Sequence, residues 1–182
     1  MTDKPKSVYT LGAEDGLYMG PLMAATVIFI GASTYAPWLA IPGLLCAFAV
    51  PVLAYLRLAR SYRSTPLPVS FSTLWLQGIA MFFFGGLVMA VVAFVTMRWI
   101  APGFINHQVE MIINVYSSMD DPQALNMAHT FQKIKDAGAL PKPLDIALQL
   151  LYLAVFSGSI LSICFAMLLK RRRPVPPTFP NV

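Results

Sequence analysis

Apolar residues are gathered along this chain in four long blocks, over residues 17–36, 38–56, 71–100 and 144–169. Each block has about the 20 residues that a helix needs to cross the hydrocarbon core of a bilayer. None of them shows the strict alternation of apolar and polar residues that a barrel strand would show, so each is predicted to be a helix. The predicted fold is therefore all-α, a polytopic bundle of four transmembrane helices.

Between the third and fourth blocks the pattern changes to that of amphipathic helices. After Phe104, apolar residues recur at helical spacing, whereas His107, Glu110 and Asn114 share the polar face. Asp121 followed by proline indicates the start of a second helix, and Gly138 indicates its end. We predict an external hairpin over residues 104–138, which lies on lipid, on the chain's own spans or on a partner protein.

Composition supports the membrane interpretation. The chain has 182 residues, of which 57% are hydrophobic and 12% are charged, whereas a soluble domain is about a quarter charged. Four spans leave no room for a separate soluble catalytic domain. The net charge of +5 does not indicate a nucleic-acid partner, because the basic residues stand at the ends of the apolar blocks, as membrane insertion requires.

The basic residues predict the orientation of the chain. They precede the first block, fill the turn between the second and third blocks, and follow the fourth, at Lys4, Lys6, Arg57, Arg60, Arg63, Lys170, Arg171, Arg172 and Arg173. Four spans bring these three clusters to one side, so the positive-inside rule places both termini in the cytoplasm. Residues 1–16 would be a cytoplasmic segment, and residues 170–182 a basic, proline-rich cytoplasmic tail.

The same clusters form a predicted collar that contacts anionic lipid head groups. Its members are Arg57, Arg60, Arg63, Arg171, Arg172 and Arg173.

A stripe of small residues begins the first block. Gly12, Gly16, Gly20 and Ala24 recur at every fourth position, a pattern that lets two membrane helices approach closely. The stripe predicts a helix-packing interface with the third or fourth span, with a partner, or with a second copy of the chain. Asp15 is expected in the first turn of its helix, where its charge suits the helix dipole, or against a cationic group of a partner.

Candidate chemistry is sparse. His107 and Glu110 are one helical turn apart and could share a metal ion or act as an acid–base pair. The pattern occurs once, however, and in the reverse order to the Glu-x-x-His of di-metal bundles, so we interpret it as a solvated polar face. No metal, cofactor or catalytic residue is predicted. Cys46 and Cys164 lie within apolar blocks and act there as small hydrophobes.

Three segments resemble a bacterial family of unknown function, DUF4199. They read "VSFSTLWLQGIAMFFFGGLV", "MRWIAPGFINHQVEM" and "LAVFSGSILS", and the likeness extends over about residues 10–172. The resemblance implies four spans with an amphipathic segment before the last, in a bacterial inner membrane. It also implies an accessory role beside a glycosyltransferase of the polyprenyl-phosphate type.

Three functional hypotheses follow. The first is a non-enzymatic accessory or scaffold subunit of an envelope-assembly complex, with membrane lipids and a membrane protein as partners and with a homo-oligomer as an alternative assembly. The second is a small lipid or solute carrier, which needs a continuous polar path or a lipid-sized groove between the spans. The third is a lipid head-group enzyme that uses His107, Glu110 or His129.

Overall fold

The computed structural model describes residues 7–64 and 70–171, and six α-helices lie in these two ranges. The helices are α1 (Val8–Ala32), α2 (Ala40–Ser64), α3 (Phe71–Val95), α4 (Phe104–Ser117), α5 (Pro122–Asp136) and α6 (Pro143–Arg171). A short 3₁₀ turn, Pro37–Leu39, leads into α2. The predicted all-α fold is confirmed.

Four of these helices are long and apolar enough to cross a membrane. The candidate spans are Val8–Ala32, Pro37–Arg63, Phe71–Ile100 and Pro143–Arg171, and α4 and α5 form the predicted hairpin between the third and fourth spans. Two helices extend well beyond their apolar blocks at one end: α1 begins at Val8 instead of Leu17, and α2 continues past Leu56 to Ser64. Ser7 caps α1, because its side chain accepts a hydrogen bond from the backbone N–H of Tyr9.

The third span is the centre of the bundle. α3 packs most extensively against α1 on one side and α6 on the other, while α2 packs mainly against α1. Because consecutive spans run in opposite directions, α1 and α3 are parallel, and they end near the hairpin. We call this the hairpin end of the bundle. The opposite end holds the last turns of α2 and α6 and the first turn of α3.

Two clusters of buried residues hold the spans together. The larger one joins all four spans in the middle of the bundle, through Met19, Met23, Ala54, Met81, Phe82, Met89 and Ala154. The second lies at the opposite end, through Leu58, Ala59, Tyr62, Leu74, Ala166 and Leu169. Lipid chains are as apolar as these side chains, so close packing, rather than removal from water, favours this arrangement.

The third span ends in an unusual turn. Residues Thr96–Ile100 wind as a π-helix, and the backbone N–H of Ala101 donates to the carbonyl of Thr96 over 2.8 Å. The helix stops at the Ala101–Gly103 segment, and α4 begins at Phe104.

Both predicted signals of the second hairpin helix are confirmed. Asp121 caps α5 by accepting from the backbone N–H of Gln123, and Pro122 is the first helical residue. Gly138 follows α5 with φ of 63°, a left-handed conformation that glycine adopts without strain.

Several residues used in the sequence predictions lie outside the described ranges. They are Lys4, Lys6, Arg172 and Arg173, together with the rest of the tail after Arg171.

Candidate functional site

The stripe of small residues on α1 lies against α3 of the same chain. Gly12, Gly16, Gly20 and Ala24 are all buried. A Cβ atom added at Gly16 would lie 2.5 Å from the carbonyl oxygen of Met81, and one added at Gly20 would lie 2.6 Å from the Cβ of Val88. Contacts this close require the backbones themselves to touch. The stripe is thus occupied within the chain and leaves no room for a partner helix or a second copy.

The opposite face of α3 also contacts its neighbour through small residues. Cβ atoms added at Gly78 and Gly158 would collide with Ser162 and with the Phe82 ring, respectively. This contact between α3 and α6 was not among the predicted interfaces. Its signal is the run of small residues around Gly158, which is less regular than the stripe on α1.

A buried polar cluster joins α1, α2 and α3 towards the end of the bundle that lies away from the hairpin. The Gln77 side chain is 3% exposed; its Nε2 donates to Asp15 over 3.5 Å, and its Oε1 accepts from the Ser61 hydroxyl over 3.2 Å. Asp15 also faces Arg57, whose nitrogen is 3.6 Å from the carboxylate. In hydrocarbon these groups satisfy one another, so the cluster fixes three helices relative to each other.

This cluster corrects the expectation for Asp15. Because α1 begins at Val8, its first turn holds no acidic residue. Asp15 lies further along the helix, where Arg57 neutralises its charge and the helix dipole does not. The sequence did not predict the pairing of Asp15 with Arg57, because the two residues are far apart in the chain. The apolar patterns of their spans also do not show how the two helices are aligned with each other.

Arg57 also differs from the other members of the predicted basic collar. Its guanidinium lies 4.4 Å from the centre of the Tyr18 ring as well as beside Asp15, a geometry that favours a cation–π contact. Arg60, Arg63 and Arg171 are exposed at the opposite end. The structure thus gives Arg57 protein partners and leaves the other three described arginines of the collar facing outward.

The polar face of α4 is divided among separate partners. The His107 ring stacks on Tyr35 with ring centres 5.2 Å apart. Glu110 accepts from the Lys135 ammonium of α5 over 2.6 Å, and Asn114 is exposed. The hydrogen bond and positive charge of Lys135 lower the pKa of Glu110 from its usual value of 4.5. His107 and Glu110 therefore each hold part of the hairpin in place.

The hairpin is attached to the bundle at the start of α4. Gln108 donates a side-chain hydrogen bond to Thr34, next to the His107–Tyr35 stack, and α4 otherwise packs mainly against α5. Between the two hairpin helices, Ala124 and Ala128 are buried. Several large apolar side chains of the hairpin nevertheless stay at least one third exposed: Ile112, Val115, Met119, Leu125, Met127 and Ile134.

An apolar cleft opens at the hairpin end, between the last turns of α1 and α3 and the first turns of α6. Its volume is about 500 Å³, within the roughly 300–1,000 Å³ of typical ligand sites. Phe104 of α4 also lines it. The lining residues are Val27, Ile28, Ile30, Gly31, Ala32, Tyr35, Ala93, Thr96, Met97, Ile100, Ala101, Phe104, Ile146 and Leu150.

Residues 7–64 and 70–171 contain no group of three or more His, Cys, Asp or Glu side chains placed to hold a metal ion. Cys46 and Cys164, both in spans, have free thiols.

A protein-family model described as "Protein of unknown function (DUF4199)" matches residues 14–171. The chain belongs to the DUF4199 family. No curated protein and no solved structure matches it. The DUF4199 match takes in the polar cluster, the hairpin and the cleft, and most of the α1 stripe.

Sequence reasoning about this DUF4199 protein identified the small residues by which α1 contacts α3, but it missed the cleft. The cleft residues come from four separate helices, and most are the ordinary aliphatic residues of any span. No local pattern distinguishes them from residues that face lipid. Two local sequence features lie at the cleft: Gly31, a small residue near the end of α1, and the "APG" segment after α3.

Proposed function

We propose that this protein is a non-enzymatic integral membrane protein that works by binding a partner, as an accessory or scaffold subunit. The proposal places it in a bacterial inner membrane, with both termini cytoplasmic and the hairpin outside. The process proposed is envelope assembly beside a polyprenyl-phosphate glycosyltransferase, as the family resemblance implies.

The observation that carries the proposal is the hairpin. The start of α4 attaches it to the bundle, near Gly31, Thr34 and Tyr35. Its two helices otherwise pack mainly on each other. Ile112 and Val115 of α4 stay 37% and 53% exposed. Apolar side chains exposed beyond the spans are costly in water and gain by being covered. A partner protein that covers the hairpin accounts for them.

The polar chemistry supports a non-enzymatic role. A general acid or base must be aimed at a substrate, whereas Glu110 is paired with Lys135 and His107 is stacked on Tyr35. The enzyme alternative would also need His129, which is exposed on α5. If alanine at His107, Glu110 and His129 together leaves the cellular phenotype unchanged, the enzyme alternative is wrong.

The carrier hypothesis requires a groove between the spans, and the cleft is such a groove. Its lining begins at Val27 on α1 and at Ala93 on α3. Beyond these two residues, towards the middle of the bundle, lie the buried side chains of the central cluster, such as Met23 and Met89. The cleft therefore occupies one end of the bundle, which suits binding better than passage from one side to the other.

The decisive experiment is affinity purification of a tagged copy at its native level, with mild cross-linking and mass spectrometry. We expect a stoichiometric membrane-protein partner. We expect its recovery to fall at least five-fold when Ile112→Glu and Val115→Glu are combined, because two carboxylates disrupt an apolar contact.

The matched control combines Asn114→Glu and Ser117→Glu. These positions have the same spacing on α4 and are already polar and exposed, so partner recovery should be unchanged. Recovery of the protein alone would contradict the proposal, as would equal loss of the partner in both variants. Solute movement or substrate turnover by the purified protein in liposomes would also overturn it.

A further inference from the structure

We propose that the cleft at the hairpin end is a binding site for one acyl chain of a phospholipid from the adjacent leaflet. This inference is independent of the partner protein proposed above. It follows from the position, depth and lining of the cleft and from the residues at its outer edge.

The position of the cleft determines what can reach it. Its walls belong to α1, α3 and α6, all three of which are candidate membrane spans. In a bilayer, such a surface is surrounded by lipid chains, which are present at far higher concentration than any other apolar ligand. An empty cavity of this size would forfeit dispersion contacts along its whole lining, so a flexible chain that fills it is favoured.

The cleft lies within the depth of one leaflet. Along α1 it extends from Val27 to Ala32, which at 1.5 Å per residue is about 8 Å, and Tyr35 continues the lining beyond the end of the helix. Half of the hydrocarbon core of a bilayer is about 15 Å. A single acyl chain that enters from the hairpin end would run beside α1 and reach the level of Val27.

The lining suits a chain without polar groups. Aliphatic side chains from three helices make up most of it, with Ile146 and Leu150 one helical turn apart on α6. The π-helical turn at the end of α3 contributes Thr96, Met97 and Ile100. π-Helical turns often mark functional sites in α-helices, and here the turn coincides with the cleft.

The outer edge of the cleft has the features of a membrane interface. Trp38 and Trp99, at the hairpin end of the bundle, are 69% and 67% exposed, as expected of side chains at head-group level. Lys142 is exposed immediately before α6, and its carbonyl accepts a hydrogen bond from the backbone N–H of Ile146 over 3.2 Å. Its ammonium group can therefore pair with the phosphate of a lipid whose chain lies in the cleft.

The test uses the full-length protein in nanodiscs that contain a phospholipid with a diazirine near the end of one acyl chain. After irradiation, mass spectrometry locates the labelled peptides. We expect labelling of the α3 and α6 segments around Met97 and Leu150 to exceed that of the exposed α2 face around Phe48 by at least five-fold. Even labelling of all exposed apolar faces would overturn the proposal.

A pair of glycine variants provides the control. Gly31 lines the cleft, whereas a Cβ at Gly103 would meet nothing within 4 Å, and its φ of −87° accepts any residue. Gly31→Leu should reduce cleft labelling at least five-fold, and Gly103→Leu should leave it unchanged.

A second blocking variant keeps the test valid if the first does not fold. Ala101→Leu places a larger side chain in the cleft lining and leaves the sequence of α1 unchanged. Thermal unfolding identifies which variants are folded. Undiminished labelling in a folded Gly31→Leu or Ala101→Leu variant would overturn the proposal.

Discussion

At the scale of single residues, the structure depends on positions where a side chain is absent. Gly12, Gly16 and Gly20 let the backbone of α1 touch α3, and Gly85 does the same from the other side, where an added Cβ would lie 3.0 Å from the Met23 sulfur. Since water does not drive helices together in hydrocarbon, such contacts carry much of the association energy.

Replacing Gly16 by alanine should therefore destabilise the protein. The new methyl group would lie 2.5 Å from a backbone oxygen, which cannot move as a flexible side chain can. We expect a loss of about 1–3 kcal/mol in the free energy of unfolding, as for other overpacked sites. Unfolding in detergent, followed by circular dichroism, measures it.

The control for this prediction lies in the same helix. At Gly31 an added Cβ would meet only Phe104, at an ordinary 3.5 Å. Gly31→Ala should be neutral or stabilising by up to about 1 kcal/mol, since alanine favours helix more than glycine does. Equal destabilisation by both variants would contradict the account of the α1–α3 contact.

At the scale of elements, the hairpin is held by a few specific contacts. Tyr116 and Phe131 stack with ring centres 6.3 Å apart between α4 and α5, and Glu110 bonds Lys135 near the ends that join the bundle. The periodicity of the sequence predicted both helices and their caps. It did not predict that Glu110 would pair across the hairpin, because that pairing depends on how the two helices are rotated.

The closed hairpin should loosen in acid. The pKa of Glu110 is lowered in the folded state, first by the hydrogen bond from Lys135 and then by its charge. This contribution is therefore complete above the usual pKa of 4.5 and is lost as the pH falls through the lower folded value. Spin labels at Asn106 and Ala139, with both native cysteines replaced, should show longer distances as the pH is lowered from about 5 to about 3, an interval that starts above the usual pKa of Glu110 and ends below it.

Lys135→Gln is the control for this pH dependence. Without the ammonium group there is no ion pair for the protonation of Glu110 to break. The distances between the labels should therefore not change with pH over the same interval. A pH dependence identical in the two proteins would show that another group controls the hairpin.

At the scale of the whole molecule, the four candidate spans place both chain ends on one side of the membrane. We expect Ser118→Cys, in the hairpin, to react with a membrane-impermeant maleimide in intact spheroplasts, again without the native cysteines. Arg63→Cys should react only after the membrane is opened, since basic turns stay in the cytoplasm. The opposite result would contradict the orientation, and reaction of both in intact spheroplasts would contradict the four-span topology.

The sequence alone determined the class of fold, the number of spans and the existence of the hairpin. These depend on composition and on local periodicity, because a bilayer demands long apolar helices and a water-facing hairpin demands amphipathic ones. The small-residue stripe on α1 was also visible, because its spacing is a property of one helix.

Only the tertiary structure decided what those helices contact. It brought Asp15, Arg57 and Gln77 together and seated the stripe on α3 rather than on a partner. It also assembled a cleft from residues as distant in the chain as Val27 and Leu150. In lipid most outward positions of a span are apolar, so composition does not distinguish a side chain that lines a cleft from one that faces the bilayer. Helix rotation and order decide that, and both are properties of the packed bundle.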